Sequence, residues 1–425
     1  MFRILRFHLR LLVAFTKKYR GVILAGTIIG VVTFWLMPKI LKILPKFGST
    51  NRIAIVGRYS LSDIPLSIQQ EISFGLTTIS ETQEVLPGIA KSWSVSEDGK
   101  IYIFNLRDDL FWHDGTRLKS RDINYSFKEA TIDYPNDSTL IVTLSEAYAA
   151  LPAQLSRPAF KIGLIGVGDN KIIKIKKNGL YLEELRLSNG TIYRFYVSQN
   201  LAKIAYKLGE VDTLTDQIPG DELEKWPNTE TVPTIRYDRY IVLLFNTTSI
   251  DKSSRQSLAY AVDKKRWNPR VYGPISPKSW AYNQDVKFYE YDPAKAAAVK
   301  KLSQITISTL PAFAKDAELV KSDWEKFGIK VQIIVEDVIP ENFESLLIAQ
   351  AIPIDPDQYH LWHSTQTTNI TRLDDKRIDK ILEDGRKISD QAKRISLYKD
   401  FQKYLLEDMP AIFLYYQTTN TLTRK

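Results

Sequence analysis

The sequence predicts an α/β protein of two lobes behind a short basic, apolar leader, and three observations carry that expectation. About 375 residues follow the leader, more than one hydrophobic core usually accommodates. Stretches patterned as strands alternate along that length with stretches of helical periodicity. All of the net charge sits at the amino end.

The formal net charge is +9, and Met1 to Lys46 holds nine Lys and Arg with no Asp or Glu, so the remaining 49 basic residues balance the 49 acidic ones. A body without net charge lacks the phosphate-seeking excess of a nucleic-acid binder, and no nucleic-acid partner is expected. Gly21 to Met37 carries no charge and, at about 17 residues, is long enough for a short transmembrane helix. Arg3, Arg6, Arg10, Lys17, Lys18 and Arg20 precede it, and Lys39, Lys42 and Lys46 follow. The positive-inside bias then predicts a single-pass protein of the cell membrane, amino end cytoplasmic, with everything after about Lys46 outside the cell. The leading region is long and no small-x-small site follows the apolar run, which favours an uncleaved anchor over a signal peptide. Flanking lysines and Trp35 argue against a buried core helix. Arg3 to Phe15 is amphipathic and suits the inner leaflet. The absence of cysteine excludes disulfides, thiolate nucleophiles and cysteine-based zinc sites.

Within the body, Asn51 to Gly57 reads as a buried strand. Ser92 to Val95 and Ile101 to Leu106 alternate as a hairpin joined by an Asp-Gly turn, and the turn Asp114-Gly115 leads toward a helix start. Tyr240 to Asn246 is a second apolar strand, followed by a helix rich in small residues over Arg255 to Lys264. Asp292 and Pro293 form a helix start, and Gly328 breaks a helix ahead of a strand. Asp379 to Asp384 and Ala392 to Met409 are amphipathic helices, the second with Ile395, Tyr398, Phe401, Leu405 and Leu406 on one face. Pro410 ends it, and Ala411 to Tyr416 is a returning strand.

Several of these stretches carry a more specific pattern: Leu86-Pro87-Gly88-Ile89-Ala90-Lys91-Ser92-Trp93, Asp98-Gly99-Lys100, Phe104-Asn105-Leu106-Arg107, His113-Asp114-Gly115-Thr116 and Asp122-Ile123-Asn124-Tyr125-Ser126. In that order they resemble the signature segment of the family 5 extracytoplasmic solute-binding proteins, the oligopeptide- and dipeptide-binding group of ABC importers. Arg255-Gln256-Ser257-Leu258-Ala259-Tyr260-Ala261-Val262-Asp263, Tyr291-Asp292-Pro293-Ala294-Lys295-Ala296 and Phe327-Gly328-Ile329-Lys330-Val331 resemble further family segments. The resemblance covers most of residues 50–416 and is thinnest from Thr131 to Thr234, where the chain is shorter than usual members.

The resemblance implies a bilobed periplasmic-binding-protein-like clamp of class II, cluster C type, preceded here by one transmembrane helix. Residues 1–47 would be leader and anchor, residues 48–238 lobe I with a return over 410–425, and residues 239–409 lobe II. It implies a non-enzymatic, membrane-anchored substrate-binding protein that closes on a short peptide or similar polar solute, hinged near Phe245-Asn246 and Tyr415-Tyr416. Its partners would be ABC permease and ATPase subunits, and no cofactor is implied. Many relatives are tethered by a lipidated cysteine; here the helix takes that place. Two alternatives stay open: a surface recognition or sensor module of the same fold with no importer, and a metal-chelate binder.

No catalytic residue is expected. Four histidines are present, no Gly-x-Ser-x-Gly elbow occurs, and Gly163, Gly166 and Gly168 precede a strand rather than the helix a phosphate loop needs. Asp355, Asp357, His360 and His363 are the one metal-like cluster, but they match no established ligand spacing, and no metal site is assigned. The resemblance makes Asp355-Pro356 the family's cleft-lining Asp-Pro turn. The acid that meets a peptide ammonium in many members falls on Ile352. A buried ammonium without a partner costs several kcal/mol, so Asp355, Asp357 or another acid has to compensate, or the ligand lacks that charge. The ligand-binding candidates are Tyr59, Asn246, Trp280, Tyr282, Asp355, Asp357, Tyr359 and Trp362, with Trp93, Phe104 and Trp112 assigned to packing.

Overall fold

Tyr240 to Phe245 is apolar at every position, which suits a strand covered on both faces. The computed structural model, which describes residues 18–21, 51–125, 127, 130–297 and 302–425, shows why. Tyr240, Val242 and Leu244 enter one core with Ile348, Phe401 and Phe413. Ile241, Leu243 and Phe245 enter another on the opposite face with Ile307, Trp324 and Leu414.

This strand belongs to a ten-stranded mixed sheet within the compact unit Asn51–Lys425. In spatial order its strands are Lys330–Val335, Gln304–Thr309, Ser345–Ala351, Thr229–Phe245, Ala411–Arg424, Thr213–Gln217, Arg52–Val56, Ile192–Tyr196, Tyr181–Leu187 and Ile172–Asn178. Thr229–Phe245 and Ala411–Arg424, of 17 and 14 residues, run through the middle. They pair as Thr229↔Arg424 to Ile235↔Thr418, lose register, and resume at Tyr240↔Tyr416. The sheet is therefore two half-sheets joined by two strands. One half packs Ala54, Leu214 and Leu422 against the helix Gln199–Lys207 on one face, and Ile53, Ile55 and Tyr193 against Ile68 and Ile72 on the other.

The expected hairpin forms. Ala90–Val95 pairs antiparallel with Ile101–Leu106, Trp93 opposite Phe104, and Gly99 turns the chain at φ +70°. With Thr139–Leu144 and Ala130–Asn136 they make a separate four-stranded sheet that buries Tyr102, Phe104, Leu140, Val142 and Trp112 on one side. The helix start expected beyond Asp114-Gly115 is one 3-10 turn, Ser120–Asp122. Asp122 is spent there, accepting from Trp112 Nε1 at 3.0 Å and the Lys119 amide at 2.9 Å. The helix expected over Asp379 to Asp384 runs longer, Lys376–Lys387, the one expected over Ala392 to Met409 is Gln391–Asp408, and the small-residue helix is Lys252–Ala261.

Two of the three glycines that hinted at a phosphate loop serve packing. A Cβ on Gly166 would lie 2.3 Å from the Ile72 carbonyl oxygen, and one on Gly168 would lie 2.8 Å from it. Gly166→Ala is expected to force the backbone of these two segments apart and destabilise the protein by about 1–3 kcal/mol in urea unfolding, the range for overpacking. An unchanged midpoint would contradict this.

Lys264 is buried beneath Tyr289, donating to the carbonyls of Ala259 and, at 2.6 Å, of Tyr289. Burial lowers its pKa to about 7. From about pH 7 up to its ordinary value of 10.5, the unfolded chain holds a proton that the folded chain has released, so stability rises with pH in that window. Lys264→Met is expected to flatten that rise in unfolding measured from pH 7 to 10; an unaltered slope would contradict the assignment.

Among the described residues no helix is long and apolar enough to cross a membrane. The span expected over Gly21 to Met37 lies outside them apart from Gly21, as does the amphipathic stretch Arg3 to Phe15.

Candidate functional site

The segment Asp355 to Trp362 folds on itself before it meets anything else. Asp355 Oδ1 accepts the Asp357 amide and Asp357 Oδ1 accepts the Tyr359 amide, each at 3.0 Å, which is the local turn chemistry of aspartate. Beyond that turn both carboxylates meet arginines. Arg394, from the helix Gln391–Asp408, holds Asp355 with two bonds at 3.1 and 2.5 Å, and both side chains are 6% exposed. Its Nε donates to the Gly385 carbonyl at 3.0 Å, and its guanidinium lies 5.2 Å from the Trp280 ring. Burial works against the Arg394 charge, yet the Asp355 carboxylate holds its pKa above the ordinary arginine value.

Asp357 pairs with Arg386 Nε at 3.2 Å. Burial raises the Asp357 pKa and outweighs the opposing pull of Arg386. Arg386 stands between two aromatic rings, 4.5 Å from Tyr359 and 4.9 Å from Tyr148. Tyr148 follows the strand Thr139–Leu144 of the four-stranded sheet, and the neighbouring Ala149 amide donates to the Arg386 carbonyl at 2.6 Å. Burial, then the Asp357 charge, pushes the Tyr148 phenol up to about 12. At this contact opens a cavity of about 800 Å³. One wall carries Leu144, Ala147 and Leu151, the other Tyr359, Glu383 and Arg386. That volume lies within the range of small-molecule sites.

The eight sequence candidates divide. Asp355, Asp357 and Tyr359 meet at this place, and Trp280 joins them through Arg394. Trp362 is 3% exposed, its indole N–H bonded to Gln358 Oε1 at 2.9 Å, and it belongs to the core behind the segment. Tyr282 is half-buried and lies within electrostatic reach of Tyr416, whose ring meets Tyr237 at 5.1 Å beside the register break. Asn246 closes the end of its strand: its Nδ2 donates to the Phe343 carbonyl and its Oδ1 accepts from Thr248. Tyr59 follows the strand Arg52–Val56 of the other half-sheet, edge-on to Phe195 at 5.9 Å.

Ile352 is a core residue whose amide donates to the Asp238 carbonyl at 2.8 Å. The compensation that Asp355 or Asp357 would have offered an ammonium is not free, because each acid faces an arginine. His363 stacks on Tyr359 at 4.1 Å and has Glu383 3.3 Å from Nε2. Burial lowers the His360 pKa, and among the described residues no three His, Asp or Glu side chains converge to hold a metal. Sequence reading missed Arg386, Arg394 and Tyr148. The two arginines lie 29 and 39 residues from their acids, and no local pattern pairs them.

Two half-sheets sharing two long strands, with a cavity beside an Asp-Pro turn, define the two-lobed clamp of solute-binding proteins. Comparison places the chain more closely: residues 84–345 match the model of the bacterial extracellular solute-binding proteins, family 5, and the chain belongs to that family. The dipeptide-binding protein of Escherichia coli K12 is 24% identical over 481 aligned positions, covering 86% of each chain. Di/tripeptide-binding protein 1 of Pseudomonas aeruginosa is 25% identical, covering 80% of this chain and 82% of its own. NikZ from Campylobacter jejuni, solved in complex with Ni(L-His), superposes with a TM-score of 0.71 at 24% identity over 89% of this chain and 94% of its own.

Proposed function

We propose that this protein is the extracytoplasmic substrate-binding component of an ABC importer, tethered by the apolar run Gly21 to Met37, and that it captures a short peptide or a similarly polar solute. The observation that carries the reading is the break in register between Ile235 and Tyr240, opposite Tyr416 to Thr418, where only two strands connect the half-sheets. A hinge needs a few residues that absorb backbone change, and this break supports a hinge nearer Arg236 to Arg239 than Phe245, which is buried at the far end of its strand. The lobes would divide there, residues 48–238 on one side and 239–409 on the other. The returning strand would run with lobe II over residues 411–416 before crossing to lobe I.

Tyr359, Trp280 and Tyr282 are the aromatic surfaces offered to the solute, with Tyr59 the candidate on lobe I. Because Asp355 and Asp357 are already paired, the reading favours solutes held by backbone hydrogen bonds and aromatic contact rather than by a bare carboxylate. The likeness to peptide-binding relatives supports the solute class, and the basic leader supports the tether. Native mass spectrometry of the full chain released from its membranes into detergent is expected to show a small polar solute carried through purification. A chain with no carried solute, and no binding across a panel of di- and tripeptides, would contradict the reading.

A further inference from the structure

The helix Gln199–Lys207 buries one face and leaves the other bare. Ser198 caps it, accepting the Leu201 amide, and Ala202, Ala205 and Tyr206 pack inward on Leu214 and Leu422. On another side Leu201, Ile204 and Leu208 follow one another at spacings of three and four, so they form one stripe, and Val197, ahead of the cap, is exposed as well. Val197, Leu201, Ile204 and Leu208 are 57%, 46%, 51% and 71% exposed. Apolar side chains scattered singly on a surface need no explanation, but a continuous stripe at helical spacing marks a contact surface. Its flank is built as well: Lys203 pairs with Asp221, Lys207 pairs with Glu222, and the Lys207 ammonium lies 5.9 Å from the Trp226 ring.

What covers the stripe follows from where the chain enters the folded unit. Arg52, the second residue of that unit, is fixed to Asp212 through its amide and guanidinium, and Asp212 lies four residues beyond Leu208. The chain thus enters the folded unit beside the carboxyl end of this helix. About 13 residues separate Met37 from Asn51, and at roughly 3.5 Å each they reach no more than about 45 Å. A bilayer holding the apolar run would be kept within that distance of Asn51, at a high effective concentration. An apolar stripe flanked by lysines and a tryptophan is the pattern that lies in a lipid interface.

We propose that the stripe Leu201, Ile204 and Leu208, with Val197 ahead of the cap, rests on the outer surface of the lipid bilayer, so that the helix Gln199–Lys207 fixes how the clamp is held against the membrane. The proposal rests on the tether assigned above, and the test separates the two. The chain has no cysteine, so Ile204→Cys and, on the loop carrying the 72%-exposed Val338, Val338→Cys each give one labelling site in the full chain. Each variant carries an environment-sensitive fluorophore and is reconstituted in phosphatidylcholine–phosphatidylglycerol vesicles with and without doxyl-labelled lipid. Co-flotation with vesicles reports the tether; quenching by doxyl lipid reports the stripe. The label at 204 is expected to lose most of its fluorescence to doxyl lipid and the label at 338 almost none. Leu201→Glu with Leu208→Glu is expected to abolish the loss at 204 while co-flotation persists. An unquenched label at 204 on protein that still floats overturns the proposal and leaves the tether standing. Failure to float overturns both. A blue shift at 204 that grows with protein density, without doxyl quenching, assigns the stripe to a second copy of the chain and likewise overturns the proposal.

Discussion

Arg394→Ala is expected to cost about 3–5 kcal/mol of folding stability, the range for removing one partner of a buried ion pair. The cost follows from what remains: Asp355 is 6% exposed, and without Arg394 its carboxylate has no counter-charge to offset its desolvation. The Gly385 carbonyl also loses its donor. The paired replacement Arg394→Met with Asp355→Leu removes both charges and is expected to recover most of the loss, because an apolar pair of similar volume avoids the desolvation that the ion pair has to offset. Urea unfolding of the three proteins checks this. An Arg394→Ala midpoint equal to that of the parent, or a double variant no better than the single, would contradict it.

Arg386→Ala is expected to weaken solute binding by roughly tenfold, about 1.4 kcal/mol, while leaving most of the fold intact. Arg386 joins Tyr148, which follows the small sheet's strand Thr139–Leu144, to Asp357 and Tyr359, which follow the larger sheet's strand Ser345–Ala351, and the cavity opens between the walls it joins. The variant also carries a pH signature. Burial already raises the Asp357 pKa, and removing the opposing arginine raises it further. A carboxyl whose folded pKa lies above its unfolded value supports the fold below the unfolded value and loses that support as pH rises through the folded one. The deficit of Arg386→Ala relative to the parent is therefore expected to be small near pH 4 and larger near pH 8. Titration calorimetry with the co-purified solute and unfolding at the two pH values provide the check; a deficit that shrinks as pH rises would contradict the assignment.

The sequence discloses what local chemistry decides. The hairpin around Asp98-Gly99 was legible because alternation and an Asp-Gly turn act over neighbouring residues. The doubly covered strand Tyr240 to Phe245 was legible because no polar residue interrupts it. The Asp114-Gly115 region misled: the turn was read as leading toward a helix start, whereas among the described residues it is followed by one 3-10 turn, whose Asp122 accepts from the Trp112 indole and the Lys119 amide. The candidate site was legible as a segment and illegible as a network. Asp355, Asp357 and Tyr359 were found from their own turn, whereas Arg386, Arg394 and Tyr148 arrive through tertiary packing that leaves no mark on local spacing. Asn246 and Trp362 drew notice as polar and aromatic residues near the right motifs, yet the structure uses one to close a strand and the other to fill a core.

Two half-sheets joined by two strands matter only if they move. Leu180→Cys and Val338→Cys, at sites 80% and 72% exposed on the two half-sheets, place two spin labels on a chain without other cysteines. Electron–electron distance measurement on the full chain, first stripped of solute and then saturated with it, tests closure directly. The account predicts a broad, longer distance that becomes shorter and narrower when solute is added. Distance distributions that stay the same with and without bound solute would contradict it.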